Sequence, residues 1–254
     1  MFTRILTLFL TWRVGLFFIA FLAILLFPKF GNSFPYSDQV LKVTGLPSWV
    51  WGFGNFDGVH YLRIAQNGYN AQYSQAFFPL YPLLIQIFAN IFPKVETLDT
   101  QIYVDPSYFF TAILLSNALF LFALILLYKL IRIDFNQKVA FSSLVLLLAF
   151  PTSFYFGSVY TESLFLLLTV GAFYFARKNN FLLAGVFSAF AGATRIFGLL
   201  LVPVILFEIY LKLKTKEVKR SSSELTKAIV GILVAPFGAL FYMLYLRLNF
   251  NNPL

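Results

Sequence analysis

Three charged side chains in otherwise apolar surroundings are the first candidates for chemistry in this sequence. Asp57 lies in FGNFDGVHYLRIAQNGY, Glu162 in FPTSFYFGSVYTESLF and Arg195 in AGATRIFGLLLVP. A carboxylate can accept a proton from an attacking hydroxyl, and the planar fork of an arginine can bind a phosphate. These residue types therefore indicate acyl, phosphoryl or glycosyl transfer.

The composition around these residues is that of a membrane protein. Of the 254 residues, 60% are hydrophobic, 20% aromatic and 11% charged, whereas a soluble domain carries about 25% charged residues. Runs such as 14–27 and 112–128 approach the roughly 20 apolar residues that a membrane helix needs. The chain is predicted to be an all-α polytopic membrane protein with a single transmembrane domain, residues 1–254.

About seven spans are predicted, with a long loop after the first. This loop, 28–107, is rich in Pro, Gly, Asn and Tyr and holds apolar pieces too short to cross, which is typical of short helices lying on the membrane surface. Near the start of the first span, Arg13 is expected to snorkel to the cytoplasmic interface beside Trp12, an interpretation favoured over the alternative of a catalytic role. The spans are predicted at 5–27, 108–128, 138–154, 159–176, 181–194, 197–211 and 228–246.

Cationic residues predict the direction of these helices. Lys and Arg are concentrated in loops 129–138, 177–180 and 212–227, which the positive-inside rule assigns to the cytoplasm. The N-terminus is then cytoplasmic and loop 28–107 lies on the other side. These loops also account for most of the net charge of +9, so nucleic acid is not expected as a partner.

Cysteine and histidine usage excludes several kinds of site. The chain has no cysteine and one histidine. Disulfides, iron–sulfur clusters and a thiol nucleophile are therefore excluded, as is a histidine-rich zinc site.

Simpler explanations exist for each of the three charged residues. Asp57 could be an N-cap, which contributes about 1 kcal/mol to a helix. Glu162 and Arg195 could form an ion pair with each other. However, the predicted topology puts all three at the non-cytoplasmic side, and charges embedded in apolar helices mark functional sites by default. This convergence favours a shared site.

Asp57 is predicted to start a short interfacial helix. Val59 and Leu62 then fall along one side, and His60 and Arg63 along another, at helix-face spacing. Aromatic residues of the same loop could bind the apolar faces of sugars or form a membrane-interface belt, and both interpretations stay open. These aromatic candidates are Trp49, Trp51, Tyr61, Tyr69, Tyr73 and Tyr81.

Three long stretches also occur in a specific order and spacing. They are DGVHYLRIAQNGY followed by AFFPLYP, then PTSFYFGSVYTESLF, then ATRIFGLLLVP. Together they resemble the PIG-V family, the GPI mannosyltransferase 2 group with its bacterial relatives. The sequence departs from the family at Phe56, where a Trp is expected before the acidic residue.

The resemblance implies a GT-C type glycosyltransferase, a membrane enzyme with a GT-C-like transmembrane helix bundle. The donor would be a polyprenyl-phosphate sugar, with mannose as the sugar, and the acceptor a lipid-linked glycan or another lipid or envelope component. Transfer would be inverting, with the acidic residue of the first non-cytoplasmic loop, Asp57, as base. No metal or other cofactor is expected.

Other residues are then candidates for substrate binding. Arg195 would hold the donor phosphate, Glu162 would orient Arg195 or a sugar hydroxyl, and His60 would support Asp57 one turn away. The remaining candidates are Tyr61, Arg63 and Tyr81.

The sequence and the resemblance also lead to expectations about cellular location and chain length. The protein is expected in a bacterial cytoplasmic membrane, or in the endoplasmic reticulum membrane if it is eukaryotic. At 254 residues it is shorter than usual for the family, so C-terminal helices are expected to be missing, and a partner chain could supply them. Two alternatives stay open, a transporter or flippase subunit and a non-catalytic membrane scaffold. Transporters usually place ionisable residues at the bilayer midplane, whereas these lie at the outer ends of spans.

Overall fold

All regular structure in the described part of the chain is helical. The computed structural model describes residues 1–27, 35–95, 98–99, 102–215 and 222–252. Parts of the two predicted loops, at 28–34, 96–97, 100–101 and 216–221, lie outside the described residues. Four helices within these ranges are long and apolar enough to cross a membrane. The prediction of an all-α polytopic membrane protein is therefore confirmed.

The α-helices are numbered in chain order. They are α1 (Phe2–Leu26), α2 (Ser37–Val40), α3 (Ser48–Trp51), α4 (Asp57–Asn67), α5 (Leu80–Phe88), α6 (Pro106–Ile131), α7 (Gln137–Ala149), α8 (Glu162–Arg177), α9 (Phe181–Thr194), α10 (Leu201–Lys214), α11 (Ser222–Val234) and α12 (Phe237–Phe250). Short 3₁₀ helices of three to five residues occur at Lys42–Thr44, Gly52–Gly54, Ser74–Ala76, Ala89–Ile91, Ser153–Gly157 and Ile196–Leu200.

Helix length separates two groups among the predicted spans. The runs long enough to cross are α1, α6, Ile196–Lys214 and Ser223–Phe250. The spans predicted at 138–154, 159–176 and 181–194 are instead helices of 13, 16 and 14 residues. At 1.5 Å per residue these measure about 20–24 Å, less than the roughly 30 Å of a hydrocarbon core. The count of about seven spans and the single-domain boundary stay predictions.

Two compact units are formed by the chain. The first comprises Met1–Phe77, Tyr81–Leu121 and Ser143–Ser163, and the second comprises Phe78–Leu80, Phe122–Ser142 and Leu164–Leu254.

In the first unit, aromatic rings attach the loop before α4 to α1. The Phe17 ring centroid lies 5.8 Å from that of Trp49 and 5.4 Å from that of Phe53. Trp12 of α1 also donates from its indole N–H to Ser153 Oγ at 3.1 Å. Because α1 contacts both the loop before α4 and the segment before α8, it holds these two segments in one unit.

Arg13 is buried in this unit, so its predicted snorkelling to the cytoplasmic interface is wrong. The residue is only 8% exposed, and its guanidinium carbon lies 4.2 Å from the ring centroid of Phe17 and 4.4 Å from that of Phe53. Since α1 begins at Phe2, Arg13 is about 16 Å from the start of the helix. A charge near the centre of a membrane helix costs roughly 2.5–3.5 kcal/mol on insertion scales.

In the second unit, helix backbones approach each other at glycines. A Cβ on Gly185 of α9 would overlap the carbonyl oxygen of Gly231 in α11, and one on Gly238 of α12 would overlap the carbonyl oxygen of Ala189 in α9. Small residues at helix crossings permit such close packing in membrane proteins. Pro236 separates α11 from α12, so the predicted span 228–246 is a broken helix.

Cationic loops meet at one end of the second unit. Arg177 donates two hydrogen bonds to Asp134, of 2.8 and 2.6 Å. Lys227 lines the same surface cavity as Asn179 and Asn180. The loops that the charge pattern grouped together therefore do lie together, while their cytoplasmic location stays a prediction.

Candidate functional site

Asp57 is the first residue of α4, and it is exposed. The N-cap position is taken by Phe56, and the helix has no side-chain cap. The alternative in which Asp57 is itself the N-cap is therefore wrong. Phe56 has a φ of +58°, a backbone conformation that is rare for a bulky residue and costs about 1–3 kcal/mol. Strain of this kind indicates that the surrounding structure forces the turn that presents Asp57.

Tyr160 supplies that constraint. Its hydroxyl donates to the carbonyl oxygen of Asn55 at 2.9 Å. Beside it, the N–H of Val159 donates to the carbonyl oxygen of Phe53 at 2.9 Å. The segment before α8 thus supports the strained turn before α4. Sequence patterns did not single out Tyr160, although it stands two residues before Glu162 in the same stretch.

Glu162 is the first residue of α8 and is half-buried. Its charge acts on the hydroxyl of Tyr160, as does the charge of Asp57. The two predicted carboxylates therefore both lie within electrostatic reach of one tyrosine, within a single unit. Because each carboxylate begins a helix, each also lies where the helix dipole stabilises a negative charge.

Close packing keeps these two segments together. A Cβ on Gly58, the second residue of α4, would lie 3.1 Å from the carbonyl oxygen of Val159. The neighbouring turn is equally tight, since a Cβ on Gly54 would lie 2.7 Å from a methyl carbon of Leu41. Glycine at both positions lets the backbone around Asp57 approach its supports.

The imidazole of His60 lies one turn after Asp57. Its ring stacks on Phe77, with 4.9 Å between centroids. Partial burial lowers the pKa of His60 below its ordinary value; the carboxylate of Asp57 opposes this shift, and the charge of Arg63 adds to it. His60 is therefore neutral near pH 7, so it can exchange hydrogen bonds with a substrate but supplies no positive charge for a phosphate.

Tyr61 and Tyr81 are both buried. Their rings pack edge to face at 5.3 Å, and the Tyr81 hydroxyl shares a 2.6 Å hydrogen bond with Ser116 Oγ. These contacts hold α4 against α5 and α6. This environment favours a packing role for both tyrosines, and their predicted contact with substrate stays a prediction.

The other end of α4 is anchored to the start of α6. Gln66 Oε1 accepts from the N–H of Asp105 at 2.8 Å. The Asp105 carboxylate accepts from the backbone N–H groups of Val95 and Ser107, each at 2.8 Å. Burial alone would raise the pKa of Asp105, but these hydrogen bonds hold it below its ordinary value. The ionised carboxylate of Asp105 thus fixes the backbone at the start of α6, and the N–H of Asp105 in turn holds Gln66 of α4. Arg63, on the same helix, covers the ring of Tyr36 at 4.5 Å.

Arg195 belongs to the second unit. It directly follows α9 with an extended backbone, φ −154° and ψ 146°. Its guanidinium carbon lies 6.0 Å from the ring centroid of Phe165 in α8. Its role at a donor phosphate and its alternative pairing with Glu162 both stay predictions.

Comparison with known proteins finds mannosyltransferases, both as a family and as individual relatives. A family model described as mannosyltransferase (PIG-V) matches residues 1–250. GPI mannosyltransferase 2 of Drosophila pseudoobscura pseudoobscura is 28% identical over 141 residues, which are 54% of this chain and 29% of that protein. GPI mannosyltransferase 2 of Cryptococcus neoformans var. neoformans serotype D is 29% identical over 170 residues, 64% of this chain and 36% of that protein. GPI alpha-1,6-mannosyltransferase 2 of Rattus norvegicus is 27% identical over 157 residues, which are 61% of this chain and 31% of that protein.

These matches cover about a third of each relative's length, between 29% and 36%. No solved structure matches the chain significantly.

Proposed function

The chain belongs to the mannosyltransferase (PIG-V) family, and from that premise we propose that it transfers mannose from a polyprenyl-phosphate donor to a lipid-linked or envelope acceptor. The transfer would take place at the non-cytoplasmic face of the membrane, within a GT-C-like helix bundle whose N-terminus is cytoplasmic. The names of the similar proteins support mannose as the sugar. The strongest structural support is the exposed carboxylate of Asp57, presented on a strained turn that Tyr160 holds.

The proposed reaction is a direct displacement with inversion. The oxygen of an acceptor hydroxyl forms a bond to the anomeric carbon of mannose. The bond between that carbon and the phosphate oxygen breaks, and polyprenyl phosphate leaves with the electron pair. Asp57 takes the proton of the acceptor hydroxyl as general base, a role that contributes about 10²–10⁴-fold to a rate when the geometry is correct.

Other residues have supporting roles in this scheme. Glu162 would orient a sugar hydroxyl beside Tyr160, and neutral His60 would exchange hydrogen bonds next to Asp57. Arg195 would hold the donor phosphate, because its fork of donors matches phosphate oxygens. The reaction as written needs no metal or other cofactor.

Replacement of the base tests the proposal. Native membranes containing the chain would be supplied with radiolabelled polyprenyl-phosphate mannose, so that any partner chain is also present. Asp57→Asn should lower sugar transfer about 10²–10⁴-fold without changing the amount of folded protein. Asp38→Asn is the matched control, because Asp38 is an exposed acid of the same loop whose partner is Lys42. Transfer at the wild-type rate by the Asp57 variant would remove that residue from the role of base.

A further inference from the structure

Arg13 is a buried cation without a hydrogen-bond acceptor among the described residues. Its Nη1 and Nη2 atoms are both buried, and no atom of the described chain accepts from either. Buried charges in proteins are normally paired, and an ionisable side chain inside a membrane helix marks a functional site by default. Arg13 therefore lacks, within the described structure, the anion that its environment calls for.

The neighbours of Arg13 stabilise its charge without using its donors. Aromatic rings attract a cation but are weak acceptors for N–H groups, and the rings of Phe17 and Phe53 lie 4.2 and 4.4 Å from the guanidinium carbon. The nearby hydroxyl of Ser153 accepts from Trp12 and donates to the carbonyl oxygen of Leu148. The N–H groups on Nη1 and Nη2 are consequently left without an acceptor among the described residues.

Space for the guanidinium is provided by Gly157. A Cβ at this position would overlap Nη1 of Arg13, so any other residue would displace the side chain. Phe53 and Gly157 also belong to the two segments that present the carboxylates, four residues before Asp57 and five residues before Glu162. Arg13 is thus packed against both supports of the proposed catalytic site, inside the first unit.

The chemical class of the ligand follows from the guanidinium group of Arg13 and from the position of Arg13 along α1. A guanidinium binds two oxygens of a phosphate through parallel N–H groups, which an ammonium cannot do. Arg13 lies near the middle of α1, and its neighbours Leu10 and Val14 are exposed apolar residues, at 50% and 66%. An inorganic anion would have to leave water to reach this depth, whereas a phosphate carried on a lipid is already at the membrane.

We propose that Arg13 binds the phosphate of a lipid-carried phosphate ester, and that this ester is the polyprenyl-phosphate donor. The second part rests on the proposed function; the first part does not. Arg13 then supplies the first unit with its own phosphate-binding group, in addition to the role proposed for Arg195 in the second.

Binding to the purified full chain tests this inference. The chain would be reconstituted in zwitterionic nanodiscs and titrated with polyprenyl phosphate, with polyprenol of the same length, with phosphatidylglycerol and with inorganic phosphate. Arg13→Met should weaken binding of polyprenyl phosphate about 10–100-fold, the range expected for lost hydrogen bonds to a charged group. Arg13→Lys should weaken it less, because the charge remains but the fork is lost. Arg4→Gln is the control, since Arg4 is an exposed residue of the same helix.

Thermal unfolding without ligand separates binding from a structural role. An uncompensated buried charge destabilises a folded protein, so its removal should not lower stability. Arg13→Met should therefore match or exceed the wild-type Tm without ligand, and lose only the increase in Tm that polyprenyl phosphate causes. A lower Tm with unchanged affinity for polyprenyl phosphate would overturn the inference.

The remaining outcomes distinguish the ligands and the two proposals. Polyprenol should not bind through Arg13, and phosphatidylglycerol should bind much more weakly than polyprenyl phosphate. Equal affinity for both phosphate lipids would assign the site to membrane phospholipid and overturn its link to the donor. Asp57→Asn should bind polyprenyl phosphate like wild type. An inactive chain with Arg13-dependent binding would contradict the proposed function alone, and an active chain with Arg13-independent binding would contradict this inference alone.

Discussion

The two units of the molecule are stabilised in different ways. In the first, side chains distant in sequence bind the backbone of turns, as the Tyr160 hydroxyl binds the carbonyl oxygen of Asn55. In the second, helix backbones touch directly at glycines such as Gly185 and Gly238. Turns held by single hydrogen bonds can lose their geometry while the unit stays folded. Backbone contacts at glycine cannot be altered without separating the helices, so we expect function to be sensitive in the first unit and folding in the second.

Arginine shows the same difference between the units. Arg177 lies on the surface of the second unit and binds Asp134 through two hydrogen bonds. Such exposed pairs contribute about 0–1 kcal/mol to stability, so this pair joins two loops without dominating the energetics. Arg13 in the first unit is buried, and among the described residues its guanidinium has aromatic rings beside it but no hydrogen-bond acceptor for Nη1 or Nη2. A buried guanidinium such as that of Arg13 adds nothing evident to the stability of the fold, which is why we proposed that it binds a ligand.

The largest effect is expected at the helix crossings of the second unit. In Gly238→Ala, the new Cβ would overlap the carbonyl oxygen of Ala189, and relieving the overlap requires α12 to move away from α9. Overpacking typically costs about 1–3 kcal/mol and occasionally more, and an overlap with backbone that cannot move aside should lie at the upper end. The measurement is the fraction of monodisperse protein and its Tm in detergent. Gly15→Ala is the control, because nothing lies within 4 Å of a Cβ at that helical position. Equal stability of the two variants would contradict the close crossing.

Arg195→Ala should leave the second unit folded and impair use of the donor. Loss of hydrogen bonds between an arginine and a phosphate should raise the KM for the donor about 10–100-fold, with a much smaller change in the KM for the acceptor. Separate titrations of donor and acceptor provide the measurement. Arg247→Ala is the control, since Arg247 is exposed and binds the carbonyl oxygen of Asn251. A larger effect on the acceptor than on the donor would remove Arg195 from the phosphate.

Local patterns in the sequence predicted the elements of the site better than their arrangement. The spacing of Val59 and Leu62 predicted a helix from Asp57 with both residues on one side, and in the structure both side chains are fully buried in α4. The alternative of Asp57 as N-cap was wrong because the turn is set by Tyr160, which is 105 residues away from Asn55 in the chain. Periodicity carries no information about a contact at that distance.

The misplacement of Arg13 has a different cause. Hydropathy suggested a first span within 5–27, which put Arg13 near its start and within reach of the interface. The helix instead begins at Phe2, and Phe53 of the following loop folds back onto the guanidinium. Burial of that kind depends on how a loop packs against a helix, and the apolar pattern of the helix alone does not show it.

Tyr160→Phe should have a smaller effect on the reaction, confined to the chemical step. Without the hydroxyl, the carbonyl oxygen of Asn55 keeps its hydrogen bond from Gly58 but loses the one from Tyr160, so the turn before Asp57 is held less firmly. A kcat about tenfold lower is expected, as for the loss of about 1–1.5 kcal/mol of positioning, with little change in either KM. Tyr155→Phe is the control, because its ring contacts Tyr160 at 5.0 Å while its hydroxyl is not part of the turn. A change in KM with unchanged kcat would indicate that Tyr160 contacts substrate instead.

Chelation should have the smallest effect, because in the proposed reaction the charge on departing polyprenyl phosphate is met by arginines. A guanidinium is always protonated, so neither Arg13 nor Arg195 needs a metal to stabilise that phosphate. Transfer should therefore proceed at the same rate in EDTA and in added magnesium, measured with the native chain in the radiolabelled assay. The comparison is sharpest in Arg195→Ala, where an added divalent cation could replace the lost charge. Loss of wild-type activity in EDTA, restored by one particular cation, would mean that a metal ion rather than the arginines stabilises the leaving group.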